Sequence, residues 1–172
     1  MEIAVLALGC FWGPEIKFSK IEGIIKTEVG YCGGNNPTTT YKEVCTGKTN
    51  HAEVARIVYD DEQISYDKLL EMFWFVHNPT QLNRQGNDVG PQYRSVIFYH
   101  NEGQRDSAET YVKKLTAEET WEDPIVTEIT MVEEFFPAEN YHENYFELNP
   151  DNQYCQFVVR PKVDKFKKVF SE

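Results

Sequence analysis

Several patterns that commonly announce a function are missing from this chain. None of its four cysteines stands in a C-x-x-C pair and none of its four histidines in an H-x-x-x-H pair, so no metal site is written in the spacing. Cysteines at 10, 32, 45 and 155 are too few and too scattered for a disulfide scaffold. No apolar run approaches the roughly 20 residues of a membrane-spanning helix. Met1 leads straight into apolar residues 3–8, without the basic stretch and small-residue cleavage site of a secretory signal, so a cytoplasmic location is expected. Basic residues are outnumbered, 17 Lys and Arg against 28 Asp and Glu. The resulting net charge of −11 repels phosphate backbones and anionic lipid, and neither a nucleic acid nor a membrane is expected as a partner. Repeats, low-complexity tracts and linkers rich in Ser, Gly or Pro are also lacking, and the 172 residues read as a single domain, 1–172.

What is present is core-forming material: 41% hydrophobic residues, with 3 Trp, 10 Tyr and 11 Phe, which excludes a disordered chain. Residues 3–8 read as a buried strand ending at Gly9, followed by a short helix with Pro14 in its first turn. Further strands are expected at 24–31, 52–59, 95–100, 125–132 and 156–160. Gly33-Gly34-Asn35-Asn36-Pro37 closes the second strand, and Ser65 caps a helix that stops at Asn78-Pro79. Ala108, Tyr111, Val112 and Leu115 keep helical spacing, and 138–148 reads as a helix ended by Asn149-Pro150. Residues 79–94 form a polar loop of the length that is usually functional or mobile. Strands and helices alternate too irregularly for a doubly wound fold; the expectation is an α+β two-layer sandwich with long loops at one edge.

Three constellations could carry chemistry. Gly9-Cys10-Phe11-Trp12-Gly13-Pro14 puts a thiol at a strand–turn–helix junction. Unpaired helix N–H groups there favour thiolate and lower the thiol pKa below about 8.5. Phe11 and Trp12 would wall an apolar pocket; the plainer alternative is a buried turn cysteine beside two core aromatics. In Thr49-Asn50-His51-Ala52-Glu53, the carboxyl of Glu53 shares a strand face with Ala55, Ile57 and Tyr59. Buried, it would stay protonated as a general acid; on the surface it is an ordinary solvated glutamate. His51 reads more simply as a histidine bonded to backbone at the start of a strand. Finally, residues 85–94 offer Asp88, Tyr93 and several amides on one glycine-rich loop, suited to a small polar ligand but equally to turn chemistry. Tyr41 adds a further phenol with the same ambiguity.

Taken in order, Gly-Cys-Phe-Trp-Gly, Gly-Tyr-x-Gly-Gly, Tyr41, His-Ala-Glu and Arg-Gln-Gly-Asn-Asp-x-Gly-x-Gln-Tyr-Arg-Ser resemble the A class of peptide methionine sulfoxide reductases, from about residue 8 to residue 161. The resemblance implies a ferredoxin-like two-layer sandwich and reduction of methionine (S)-sulfoxide, free or within oxidised proteins. It implies Cys10 as nucleophile and Glu53 as acid, with Tyr41 and Tyr93 bonding the sulfoxide oxygen. Asp88 would hold the site through a water, and Phe11 with Trp12 would clasp the S-methyl group. Protonation makes the sulfoxide sulfur electrophilic enough for a thiolate, and Cys10 is left as sulfenic acid. No metal and no organic cofactor is expected; thioredoxin or another thiol would supply reducing equivalents. Position 50 is Asn where the family commonly has Gly, Cys32 is an extra cysteine, and the glycine-rich tail with its further recycling cysteine is absent. The resolving thiol is therefore open between Cys155, Cys32 and an external thiol, with Cys45 expected to pack in the core. Two other functions compete: a cysteine hydrolase or acyltransferase using His51 or His142, and a binding module for methionine-like ligands without turnover.

Overall fold

Apolar runs become the strands at the centre of the molecule. The computed structural model describes residues 1–34, 40–142, 144–149 and 151–170; the turn expected at 35–37 and the helix stop expected at Pro150 lie outside them. The strands are β1 (Glu2–Leu8), β2 (Ile24–Cys32), β3 (Ala52–Tyr59), a small hairpin of β4 (Arg84–Gln85) and β5 (Asp88–Val89), β6 (Ser95–Tyr99), β7 (Glu128–Met131) and β8 (Phe136–Pro137). The helices are α1 (Trp12–Ser19), α2 (Tyr41–Val44), α3 (Tyr66–Val76), α4 (Glu102–Ala117), α5 (Tyr145–Leu148) and α6 (Arg160–Phe170). Side-chain caps fix three helix starts. Thr40, Ser65 and Asn101 accept the N–H groups of Glu43, Lys68 and Gln104 at 3.2, 3.1 and 2.9 Å.

Six strands form one mixed sheet in the order β7-β6-β1-β3-β2-β8, antiparallel throughout except for the parallel β6–β7 pair. One face carries the main core, where Leu6, Ala55, Ile57 and Tyr59 meet Phe18, Leu69, Phe73 and Phe166 from the helices. The other face packs Val5, Ala7, Cys32, Ala52, Val54, Val96 and Phe98. Burial on both sides explains why residues 4–8 are apolar without alternation. The fold is α+β, and no described helix is long and apolar enough to cross a membrane.

The C-terminal segment differs from its expected form. Residues 156–160 are not a strand: Cys155–Val159 is a π-helical turn that runs into α6. The deciding pattern is Cys155, Val159, Val163 and Phe166, all buried and spaced four, four and three apart, while Phe157 is 75% exposed. Pro161 then sits in the first turn, where a helix tolerates it. The helix expected at 138–148 is a 3₁₀ turn (Asn140–His142) and the single-turn α5. The strand expected at 125–132 is trimmed to β7, because residues 125–127 leave the ladder. The two-residue strand β8, too short to register in any periodicity, closes the sheet at β2.

Gly30 makes that closure possible. A Cβ there would fall inside van der Waals contact of the Phe136 carbonyl and 2.6 Å from the Phe135 ring. Gly30→Ala should therefore lower stability in urea melts by roughly 1–3 kcal/mol. An unchanged midpoint would show that β8 moves aside at no cost.

Candidate active site

The first turn of α1 meets the edge of β3 at Glu53. Gly9, at φ +95°, reverses the chain after β1, and a side chain there would press within 2.9 Å of Gln85 Cγ. The turn delivers the Phe11 N–H to Glu53 Oε1 at 3.3 Å. Glu53 is 1% exposed, and its Oε2 has no hydrogen-bond partner among the described residues. Burial raises its pKa to about 8, reinforced by Asp88 and only partly opposed by the Phe11 N–H. The carboxyl is thus protonated at neutral pH and has one oxygen uncommitted.

Cys10 sits next to it, half-buried between β1 and α1. Contrary to the expectation from its place before a helix, its thiol is held well above the ordinary range. Burial is the main cause, followed by the negative charge of Glu53 and a smaller push from Asp88. The Trp12 N–H and the nearby Tyr154 hydroxyl favour thiolate, but they do not outweigh the rest. Tyr154 also donates its hydroxyl to Asp88 Oδ2. The resting centre is a neutral thiol beside a neutral acid.

Aromatic rings wall this centre. Phe11 lies between Tyr31, Tyr41 and His142 at centroid distances of 5.8, 6.2 and 5.2 Å. Trp12 stacks on Tyr145 at 3.8 Å and donates its indole N–H to His142 Nδ1 at 3.1 Å. The phenols of Tyr41 and Tyr93 are both pushed up, first by burial and then by Glu53, so both remain neutral donors. One carboxylate organises the wall: Glu139 accepts the Tyr31 hydroxyl, the Tyr41 N–H and the Tyr141 hydroxyl at 3.1 to 3.2 Å. Burial pushes Glu139 up, but these donors and its own N–H together hold it below the usual carboxylate range.

The remaining cysteines separate by position. Cys32 opposes Ala52 on β3, one residue out of phase with the Tyr31–Glu53 pair, so it faces the other side of the sheet. Burial drives its thiol to about 12. Cys45 is exposed rather than in the core, and its thiol bonds the Tyr41 hydroxyl. Cys155 is fully buried in the π-helical turn, directly after Tyr154. His51 accepts the Gly34 N–H at 3.0 Å, the backbone bond expected of it. A larger cleft of about 660 Å³, lined by Trp74, Phe75, Trp121 and Phe170, adjoins the centre through Val76, Gln85 and Lys162, but neither Cys10 nor Glu53 lines it.

The geometry agrees with what the chain is similar to. Residues 2–172 match the family described as "Peptide methionine sulfoxide reductase". The peptide methionine sulfoxide reductase MsrA of Natronomonas pharaonis is 47% identical over 169 residues, 98% of this chain and 95% of its own. That of Pelagibacter ubique is 56% identical over 147 residues, 86% of this chain and 99% of its own. The crystal structure of reduced Mxr1 from Saccharomyces cerevisiae superposes with a TM-score of 0.82 at 34% identity, covering 90% of this chain and 88% of that one. The chain belongs to the peptide methionine sulfoxide reductase family.

Of the residues singled out in the sequence, the structure brings Cys10, Phe11, Trp12, Tyr41, Glu53, Asp88 and Tyr93 together. Sequence reasoning missed Tyr154, Glu139 and Tyr145 and named His142 only as the base of a competing hydrolase; all four arrive from the C-terminal third. Tyr154 adjoins Cys155 in sequence, and that adjacency was the available signal; nothing in the spacing marks the other three.

The buried acid leaves a signature on stability. Glu53 ionises near its ordinary 4.5 in the unfolded chain and near 8 in the folded one. Its contribution is therefore complete below 4.5 and is lost as the pH rises toward 8. Apart from any constant offset, the stability of Glu53→Gln relative to the parent should climb across that window by roughly 3–6 kcal/mol and then level off. A difference that stays flat from about pH 5 to 9 would mean that Glu53 is not buried as an acid.

Proposed function

We propose that this chain reduces methionine (S)-sulfoxide, peptide-bound or free, with Cys10 as nucleophile and Glu53 as acid. The observation that carries the reading is the buried, protonated Glu53 with a free oxygen beside a half-buried thiol. Glu53 gives its proton to the sulfoxide oxygen, which Tyr41 and Tyr93 bond as neutral donors. The Cys10 sulfur attacks the substrate sulfur, and oxygen passes to Cys10. Methionine leaves two electrons richer, while Cys10 becomes sulfenic acid and Glu53 regains a proton. Phe11 and Trp12 clasp the S-methyl group, while Asp88, which accepts the Tyr154 hydroxyl, holds the site through a water.

For regeneration we favour Cys155. Its thiol condenses with the sulfenic acid to a Cys10–Cys155 disulfide, releasing water, and thioredoxin or another external dithiol reduces that bond. Support comes from Tyr154, which lies beside Cys10 and precedes Cys155, and from the π-helical turn, a form frequent at functional sites. Cys32 has the whole sheet between it and Glu53. Two further parts of the reading concern the frame. The chain is one domain over 1–172, and the β1-α1-β2-β3-α3-β6 path with sheet order β6-β1-β3-β2 supports a ferredoxin-like sandwich. Four free thiols favour a reducing, cytoplasmic location. A hydrolase finds less support, because His51 and His142 are engaged by Gly34 and Trp12.

Cys10→Ser should abolish reduction of a methyl sulfoxide with dithiothreitol while leaving the melting curve native, and Glu53→Gln should slow it roughly 10²–10⁴-fold. Full activity of the serine variant would end the mechanism. One equivalent of methionine sulfoxide added to reduced enzyme should consume two thiols and yield a Cys10–Cys155 peptide by mass spectrometry. Loss of a single thiol, with a trappable sulfenic acid, would instead mean direct reduction from outside.

A further inference from the structure

Lys17 is a buried ionisable group for which the reaction above has no use. It is 4% exposed on α1, and its side chain lies back along the helix, bringing Nζ within 3.7 Å of where a Cβ on Gly13 would stand. That direction leads toward Cys10. A cavity of about 20 Å³ lies there, bounded by Cys10, Lys17, Gln85, Asp88, Tyr154 and Lys162 among others. Such a volume admits one water molecule, and its polar lining could hold one. Among the described residues, no carboxylate comes within ion-pair distance of Lys17. An amine so deeply buried without an anion beside it gains most from an anion created nearby.

From this placement we infer that Lys17 is the proton partner of Cys10: the neutral amine takes the thiol proton across their shared cavity, leaving an ammonium beside a thiolate. Burial, then repulsion from Lys162, brings Lys17 down to about 7, while Cys10 acts in the opposite sense. The neutral amine is therefore populated at physiological pH and able to accept. The groups facing this pair are Lys162 on α6, His77 after α3, Glu53 on β3, Asp88 on β5, and the phenols of Tyr93 and Tyr154. Burial keeps His77 neutral, at about 3, and Asp88 is engaged by the Tyr154 hydroxyl. Lys162 is a further cation, so it opposes protonation of Lys17 but also favours thiolate.

The step balances. The proton leaves sulfur for nitrogen, and no electrons change hands until the thiolate attacks. When Cys10 becomes sulfenic acid its negative charge is gone, so Lys17 releases its proton as Glu53, which gave one to the sulfoxide oxygen, regains one. Lys17 acts through Cys10 and not on the substrate, which makes it a positioning residue for charge. The inference rests on Cys10 being the nucleophile of the proposed reaction.

Alkylation of the full chain by iodoacetamide, followed at the Cys10 peptide by mass spectrometry from about pH 7 to 11, tests it without any sulfoxide turnover. Lys17→Met should raise the midpoint of Cys10 alkylation by about one unit, which is about tenfold slower labelling below it. Lys17→Arg, permanently cationic, should lower the midpoint below the parent's. In the reductase assay, Lys17→Met should lose kcat with KM unchanged. A merely structural role would move both variants together. A natively folded Lys17→Met with the parent's alkylation profile overturns the inference; should that variant not fold, an unshifted midpoint in Lys17→Arg overturns it equally. A parent that shows the Lys17-dependent profile yet reduces no methyl sulfoxide would sink the proposed function and leave the pairing intact.

Discussion

A carboxyl group kept from water at the edge of a β-strand is the constraint around which this molecule is arranged. Among the described residues Glu53 has one hydrogen bond, from the Phe11 N–H, and that bond exists only because the β1–α1 turn and β3 are held side by side. The antiparallel register of β1 with β3 fixes how far the turn reaches. Gly9 supplies the backbone conformation that lets it reach at all. A single neutral donor does not offset burial, so the acid keeps its proton. A second donor on Oε2 would stabilise the carboxylate and remove the property that makes the group useful. What looks like a defect in hydrogen bonding, an oxygen without a partner, is what leaves room for a substrate's oxygen.

Glu139 has the opposite design in the same neighbourhood. It collects four donors, among them Tyr31 and Tyr41, and remains ionised. Tyr31 stands opposite Glu53 across the sheet and gives its hydroxyl to Glu139, and the environments of the two carboxyl groups drive their proton affinities apart. The charged one is structural: it ties β8 and α2 to β2, so that Tyr41 is aimed by a neighbour instead of by its own short helix. Two carboxyl groups are told apart by how many N–H and O–H groups point at each.

These relations explain which parts could be seen in the sequence. Residues 3–8 of β1 are apolar throughout and were legible as a strand, as were the β-branched stretch of β3 and the capped α3. The thiol, the acid and two phenols could be named from residue type and local glycines. The C-terminal third could not be read so well, because its order comes from contacts over long separations. Trp12 with His142 and Glu15 with Asn144 each span about 130 positions. Its local pattern also misleads: Gln156-Phe157-Val158-Val159 favours a strand by propensity, and only the spacing carried on to Val163 and Phe166 reveals a helix. The raised pKa of Cys10 was hidden for a related reason. A helix start favours thiolate by local geometry, whereas what reverses the effect is burial under the rest of the fold, then Glu53 from β3 and Asp88 from β5.

The sign of that reversal bears on how such a centre works. A thiolate resting beside an ionised carboxylate would place two negative charges in a dry site, which burial forbids. Keeping both groups protonated resolves the conflict at rest but leaves a poor nucleophile. The electrostatic account therefore needs a cation that appears only when the thiolate does, and a permanently ionised arginine or a solvated lysine cannot behave so. An amine buried until its proton affinity falls to near neutrality can: it adds no charge to the resting site and gains one as Cys10 loses a proton. Lys17 stands at the right place, on the same helix whose first turn orients Cys10 and reaches Glu53, so one short helix connects the acid, the thiol and its counter-charge.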